Sequence, residues 1–162
     1  MEAAGIFDAY EQYAGSYVST NGWINYVADA LTVPRETRDD ICQPVYKVWR
    51  QDGAKAAVEH YQYLLKTQEG QYDFNQYVLM GIGSKLYANE SYADSVVFLM
   101  GSSNIYPESE YDYYTRYLAA KGLQKLGRTD EAIVQSRESV RLNGDFDDAA
   151  SLLEELTGAS DS

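Results

Sequence analysis

One cysteine, one histidine and three prolines in 162 residues leave several kinds of chemistry without their usual parts. Cys42 alone excludes an internal disulfide, and among apolar residues on an expected helix it reads as a small buried hydrophobe, not a nucleophile. His60 has Ala56, Ala57, Tyr63 and Leu64 three and four residues away, so no acid or nucleophile stands where a general base would need one. Basic residues are also scarce: 13 Lys and Arg against 25 Asp and Glu give a net charge of −12. That balance disfavours nucleic acid and anionic membranes as partners and reads as a solubility feature. No apolar run approaches the roughly 20 residues that span a bilayer.

Motifs that would carry chemistry are missing too. Gly81-Ile-Gly-Ser-Lys85 lacks the full spacing of a phosphate-binding loop and the strand that should precede it, so Gly83 is read as a point of close helix packing. Neither Ser-x-x-Lys nor Gly-x-Ser-x-Gly occurs. The acidic clusters at Asp39-Asp40 and at Asp145, Asp147 and Asp148 lack the alternating ligands of a calcium loop and fit solvated helix starts. Asn89-Glu90-Ser91 is a formal glycosylation sequon that coincides with a helix cap. No catalytic residue, metal site or cofactor is expected. The opening Met-Glu-Ala-Ala-Gly has no basic or apolar export region, so the expected compartment is the cytoplasm as written, or an exported one if a signal or upstream domain was removed.

What the chain does contain is a repeated turn. In Lys125-Leu-Gly-Arg-Thr-Asp-Glu-Ala-Ile133, Gly127 supplies the positive φ that ends one helix and Thr129 is placed to cap the next. Tyr92-Ala-Asp-Ser-Val96 and Gly53-Ala-Lys-Ala-Ala-Val58 repeat its second half. Taking Ala57, Ser95 and Ala132 as equivalent gives spacings of 38 and 37 residues, the period of stacked helical hairpins. The expected fold is therefore all-α: antiparallel hairpins piled into an array.

The element boundaries follow from apolar period and caps. Helices are expected at about 36–51, where Pro44 demands a kink or a start near Gln43, and at about 53–67 behind Asp52. Asp73 with Gln76 has the form of a capping box for about 74–88, and Ser91 would cap about 92–104. Pro107 closes that hairpin, helices at about 109–126 and 130–142 follow, and Asp145 would cap a last one at about 146–156. The polar outer side of that helix suits the end of an array. Residues 1–35 are read as a separate segment of two helices or, from Asn21-Gly22, a β-hairpin, with the helical reading preferred. Residues 36–157 form the repeat domain and 158–162 a solvated tail.

These residues resemble the tetratricopeptide repeat family. Leu79, Ile82, Gly83, Leu86, Ser95, Leu99 and Pro107 take the family's places, as do Arg116, Ala119, Ala120, Leu123, Ala132, Ser136, Ser139 and Gly144 one copy later. Ile41, Val45, Val48, Ala57, Tyr61 and Leu64 form the earliest copy. The interval exceeds the family's usual length of about 34, implying longer turns. A narrower likeness runs from Gly53 through Tyr72-Asp73-Phe74 to Tyr106-Pro107-Glu108-Ser109. It is similar to the repeat tail behind some bacterial serine hydrolases, whose catalytic half has no counterpart here.

The resemblance implies a right-handed superhelix whose concave wall is lined by first helices. Carried over position by position, that wall comprises Tyr46, Trp49 and Arg50, then Tyr77, Met80, Ser84 and Tyr87, then Tyr114, Tyr117, Lys121 and Lys125. Cys42 and Tyr46 stand where the family's carboxylate clamp has Lys and Asn, so an acidic chaperone tail is not the expected ligand. Sixteen tyrosines make a peptide-binding wall or, equally, fill inter-helix space. The leading expectation is a non-enzymatic module binding a protein or peptide. Its rivals are a structural accessory of a hydrolase, including a homodimer through the tyrosine-rich helix, and a small-ligand site beside the N-terminal segment.

Overall fold

The computed structural model describes residues 40–158, so the expectations for residues 1–35 and for the tail 159–162 lie outside the described residues. Within that span the protein is all-helical, with no strand. Six helices follow in order: α1 (Cys42–Thr67), α2 (Gln76–Ala88), α3 (Tyr92–Ile105), α4 (Asp112–Lys125), α5 (Thr129–Leu142) and α6 (Asp147–Gly158).

Local chemistry explains where each begins. The α1 helix starts late enough that Pro44 falls in its first turn, where its missing N–H has no partner to lose. Asp40 Oδ1 accepts from the Cys42 N–H at 2.9 Å just ahead of it. Gly53, at φ 88° and ψ 174°, breaks α1 into two arms, which correspond to the two helices expected on either side of this glycine.

Three expected caps are corrected. The α2 helix is capped by Asn75, whose side chain accepts from Tyr77 N at 3.0 Å. Asp73 stands two residues too early, since a cap must reach the second or third amide of its own helix. Thr129 is already the first residue of α5, because the left-handed turn at Gly127 leads straight into the helix with Arg128 at its N-cap. Asp145 N donates to Asn143 Oδ1 at 3.2 Å, placing Asp145 in the turn ahead of α6. Ser91 does hold the N-cap position of α3, but its hydroxyl makes no capping bond. Gly158 closes α6 and does not belong to a tail.

The hydrogen bonds repeat at a fixed interval. Gly127 has φ 72°, and beside it Arg128 N donates to Leu123 O at 2.9 Å and Gly127 N to Gln124 O at 3.0 Å. This paired closure satisfies two carbonyls left over at the end of α4. Glu90, 37 residues earlier, has φ 62° and the same two bonds, Ser91 N to Leu86 O at 2.9 Å and Glu90 N to Tyr87 O at 3.0 Å. Gly53 lies a further 37 residues back.

Between helices the interval recurs. Ser102 Oγ donates to Gln76 O at 3.2 Å, and Ser139 Oγ to Tyr113 O at 2.7 Å. Each bond ties the end of one helix to the start of its predecessor, so α2 and α3 are antiparallel, as are α4 and α5. Buried triplets recur after 38 and then 37 residues: Ala57, Tyr61 and Leu64; Ser95, Leu99 and Ser102; Ala132, Ser136 and Ser139.

Packing holds these pairs together. A Cβ on Gly83 would lie 2.6 Å from Leu99 Cγ, so α2 and α3 touch there only because the residue has no side chain. Ser95 Oγ donates to Gly83 O at 2.8 Å across the same contact. The largest apolar cluster joins α1, α2 and α3 through Val45, Tyr61, Leu79 and Phe98. A second joins α3, α4, α5 and α6 through Val96, Leu123, Ala132 and Leu152.

Candidate functional site

Aromatic residues of α2 and α4 gather around Lys121 and Phe146. Tyr114 and Tyr117 are one turn apart on α4, with ring centroids 6.1 Å from each other. Both lean on Phe146 at the start of α6, at 6.3 and 5.0 Å. Lys121 Nζ sits over two rings at once, 5.8 Å from the centroid of Tyr87 and 5.4 Å from that of Tyr117. Each such contact contributes about 0.5–1 kcal/mol at a partly exposed site. Partial burial works against the Lys121 charge, but interaction with Tyr117 and Tyr87 outweighs it and lifts the ammonium above its ordinary pKa.

Other members of the expected wall extend this surface. Met80, Tyr87 and Tyr114 pack on the cluster of Leu99, Leu118 and Ala119. Tyr77, at the start of α2, is exposed and meets the less exposed Tyr111 at 5.6 Å. Ser84 turns its hydroxyl back on its own helix, donating to Met80 O at 2.8 Å. Lys125 is exposed at the end of α4.

The first-copy residues lie in different surroundings. Trp49 Nε1 donates to Asp94 Oδ2 at 2.8 Å, and its ring stands edge-on to Phe98 at 6.1 Å. Its polar and apolar parts are thus both engaged by α3. Tyr46 is 53% exposed and contacts Trp49 edge-on at 5.6 Å, while Arg50 is exposed. His60 is half-buried and stacks on Tyr63 at 6.3 Å.

Sequence reasoning missed Phe146, Tyr111 and Tyr92 as members of the aromatic surface. Phe146 belongs to the residues leading into α6, and its apolar character alone marks it as core. Tyr92, which meets Tyr87 at 5.3 Å, begins a second helix, where the repeat pattern assigns no wall position. Tyr111 could have been found from the crowding of Tyr111, Tyr113, Tyr114 and Tyr117.

Two polar arrangements lie beneath these surfaces. Tyr61 is fully buried, donates to Asn75 O at 3.2 Å and lies 2.7 Å from the Tyr106 hydroxyl. Burial, with Tyr106 adding to it, raises the Tyr61 pKa well above the ordinary tyrosine value, and burial raises that of Tyr106. Asp112, at the start of α4, is buried; its Oδ2 accepts from Glu108 N at 3.0 Å and Arg116 Nε at 3.1 Å. Arg116 Nη1 continues to Gln135 Oε1 on α5 at 3.1 Å. Among the described residues no three His, Cys, Asp or Glu side chains gather where they could hold a metal ion. No described helix is long and apolar enough to cross a membrane.

A cavity of about 520 Å³ shares no residue with the tyrosine surface. Val97, Met100 and Gly101 of α3 form its floor, between the second arm of α1 and α5. No protein family matches the chain, and no curated protein is significantly similar to it in sequence.

Proposed function

We propose that residues 40–158 are a tetratricopeptide-like array of three hairpins that binds a peptide or protein segment and is not an enzyme. The recurrence of turns, serine–carbonyl bonds and buried triplets at 37- and 38-residue intervals supports the repeat reading. A right-handed superhelix is the arrangement such repeats usually adopt.

The observation that carries the binding reading is the tyrosine surface built around Lys121. Tyrosine gives large, stiff contact area at low entropic cost, and the ammonium adds a charged anchor. The helices beneath it are also unusual for so acidic a protein. On α2 and α4, Lys85, Lys121 and Lys125 meet no surface carboxylate of these helices, because their one acid, Asp112, is buried and paired with Arg116 in the interior. A segment bearing aromatic or aliphatic side chains and some negative charge complements that surface. Arg50, Tyr46 and Trp49 would extend it toward α1.

The test is selection from a random peptide display library on the full chain, followed by affinity measurements on enriched peptides. Tyr117→Ala should weaken them at least about tenfold, as expected for a central aromatic anchor. Unchanged affinity in Tyr114→Ala and Tyr117→Ala would sink the assignment. One observation favours a second reading, a structural accessory of a larger assembly: Tyr114 and Tyr117 already rest on Phe146, so part of their area is spent within the fold.

A further inference from the structure

The helices α2 and α4 lie side by side and run the same way. Their starts meet where the rings of Tyr77 and Tyr111 are 5.6 Å apart, and their ends where Lys121 Nζ stands 5.8 Å from the Tyr87 centroid. Tyr77 to Tyr87 and Tyr111 to Lys121 are equal steps along the sequence, and at about 1.5 Å per residue the two contacts are about 15 Å apart. Between them Met80 and Tyr114 pack on the same apolar cluster. The two edges of this pair differ in charge. Lys121 and, one turn on, the exposed Lys125 stand at the end of α4. Asp148 acts on Lys121 without forming an ion pair, and Glu155 turns to Gln124 Nε2 at 2.8 Å. At the opposite edge Glu110 adjoins Tyr111 and is the main cause of that phenol's raised pKa. Acids at helix starts and bases at helix ends suit the helix dipoles, and parallel helices align them into edges of opposite sign.

We propose that the bound segment lies along α2 and α4, with a carboxylate over Lys121 and Lys125 and an aromatic or aliphatic side chain on Tyr77 and Tyr111. This placement rests on the peptide-binding reading and adds an orientation and a spacing to it. An extended chain advances about 3.3 Å per residue, so the acid and the apolar side chain are about four or five residues apart in the segment. The reverse placement sets the acid against Glu110 and the apolar side chain on hydrated lysines. Like-charge repulsion and lost burial therefore select one orientation. Partial burial of Lys121 leaves a pair formed there less screened by salt than one on open surface.

The test is fluorescence anisotropy of the full chain, at up to about 1 mM, with labelled peptides that join one Glu to one Trp through Gly-Ser spacers of graded length, a range that detects millimolar affinity. Both chain orders are made. In at least one order affinity should peak when Glu and Trp are about four or five residues apart. Replacing Glu by Gln in the best peptide should weaken it about three- to tenfold. Lys121→Met keeps the apolar stem and should abolish that Glu–Gln difference. Lys125→Met, at an exposed position that leaves the packing intact, should reduce it. Tyr77→Ala should weaken the Glu and Gln peptides alike. Affinity indifferent to spacing, or a Glu–Gln difference unchanged in both lysine variants, would overturn the placement. If library-selected peptides bind through Tyr117 and none of the Glu–Trp series binds, the placement alone falls. If neither set binds, the peptide-binding reading falls with it.

Discussion

The α2–α3 and α4–α5 pairs share a backbone plan but not an interior. Where the first has Leu79, Phe98 and Leu99, all fully buried, the second has Arg116, Gln135 and Ser136 at the positions 37 residues on. Asn75, which caps α2, is likewise answered by Asp112, which anchors Arg116 and the Glu108 amide. The turns and the serine–carbonyl bonds stay the same in both. Backbone hydrogen bonding and helix spacing therefore define the repeat, and the interior chemistry changes between copies even though Asp112 Oδ1 and Ser136 Oγ are buried there without a hydrogen-bond partner.

Breaking the polar interior should have the largest effect. Asp112→Ala leaves Arg116, whose side chain is 17% exposed, without its carboxylate, and should cost about 3–5 kcal/mol in urea unfolding. Asn75→Ala at the corresponding place should cost about 1 kcal/mol, the loss of one cap. Equal costs would mean that the two interiors are energetically alike after all.

Close packing is next. Gly83→Ala forces a Cβ to within 2.6 Å of Leu99 Cγ and should cost about 1–3 kcal/mol. Ala120 holds the matching position of the second pair and already buries its methyl group. A Gly83→Ala protein as stable as the parent would show that the first pair can open to the spacing of the second.

Alkali should separate the regions in a different way. The folded pKa of Tyr61 is raised, so its contribution is intact below the unfolded tyrosine value of about 10 and is lost as pH rises above it. Stability should therefore fall above about pH 10, and Tyr61→Phe should flatten that fall at a cost of about 1 kcal/mol near neutrality. A pH profile identical to the parent's would remove Tyr61 from the account.

The smallest effect is a gain. Glu90 holds a left-handed conformation that Gly127 adopts without strain, so Glu90→Gly should stabilise by about 0.5–1 kcal/mol. Gly127→Ala should lose a similar amount. Thermal melts of the two variants, moving in opposite directions, would confirm that the turns are conformational equivalents occupied by unequal residues.

The helical class, the turn at Gly127 and the equivalence of Ala57, Ser95 and Ala132 were legible because each depends on residues within one turn or one hairpin. Helix starts were read less well: Asp73, Thr129 and Asp145 all have the chemistry of a cap, and only the local backbone path selects which polar residue reaches an amide. Glu90 carries no sequence mark of its positive φ, since the register of the repeat imposes it. The candidate surface was half visible. Tyr87, Tyr114, Tyr117 and Lys121 could be named from helix position, whereas Phe146 joins them only once α6 packs beside α4.

By itself, then, the order of residues determined that residues 40–158 are all-helical with a 37- to 38-residue rhythm and carry a cationic, tyrosine-bearing pair of helices in an acidic protein. Tertiary packing alone decided that Trp49 turns to Asp94, that Arg116 bridges Asp112 and Gln135, and that residues as distant as Lys55 and Val134 wall one groove. The division has a physical cause. Periodicity and turn geometry are short-range properties of the chain, but a contact between distant side chains exists only after several helices have been brought together.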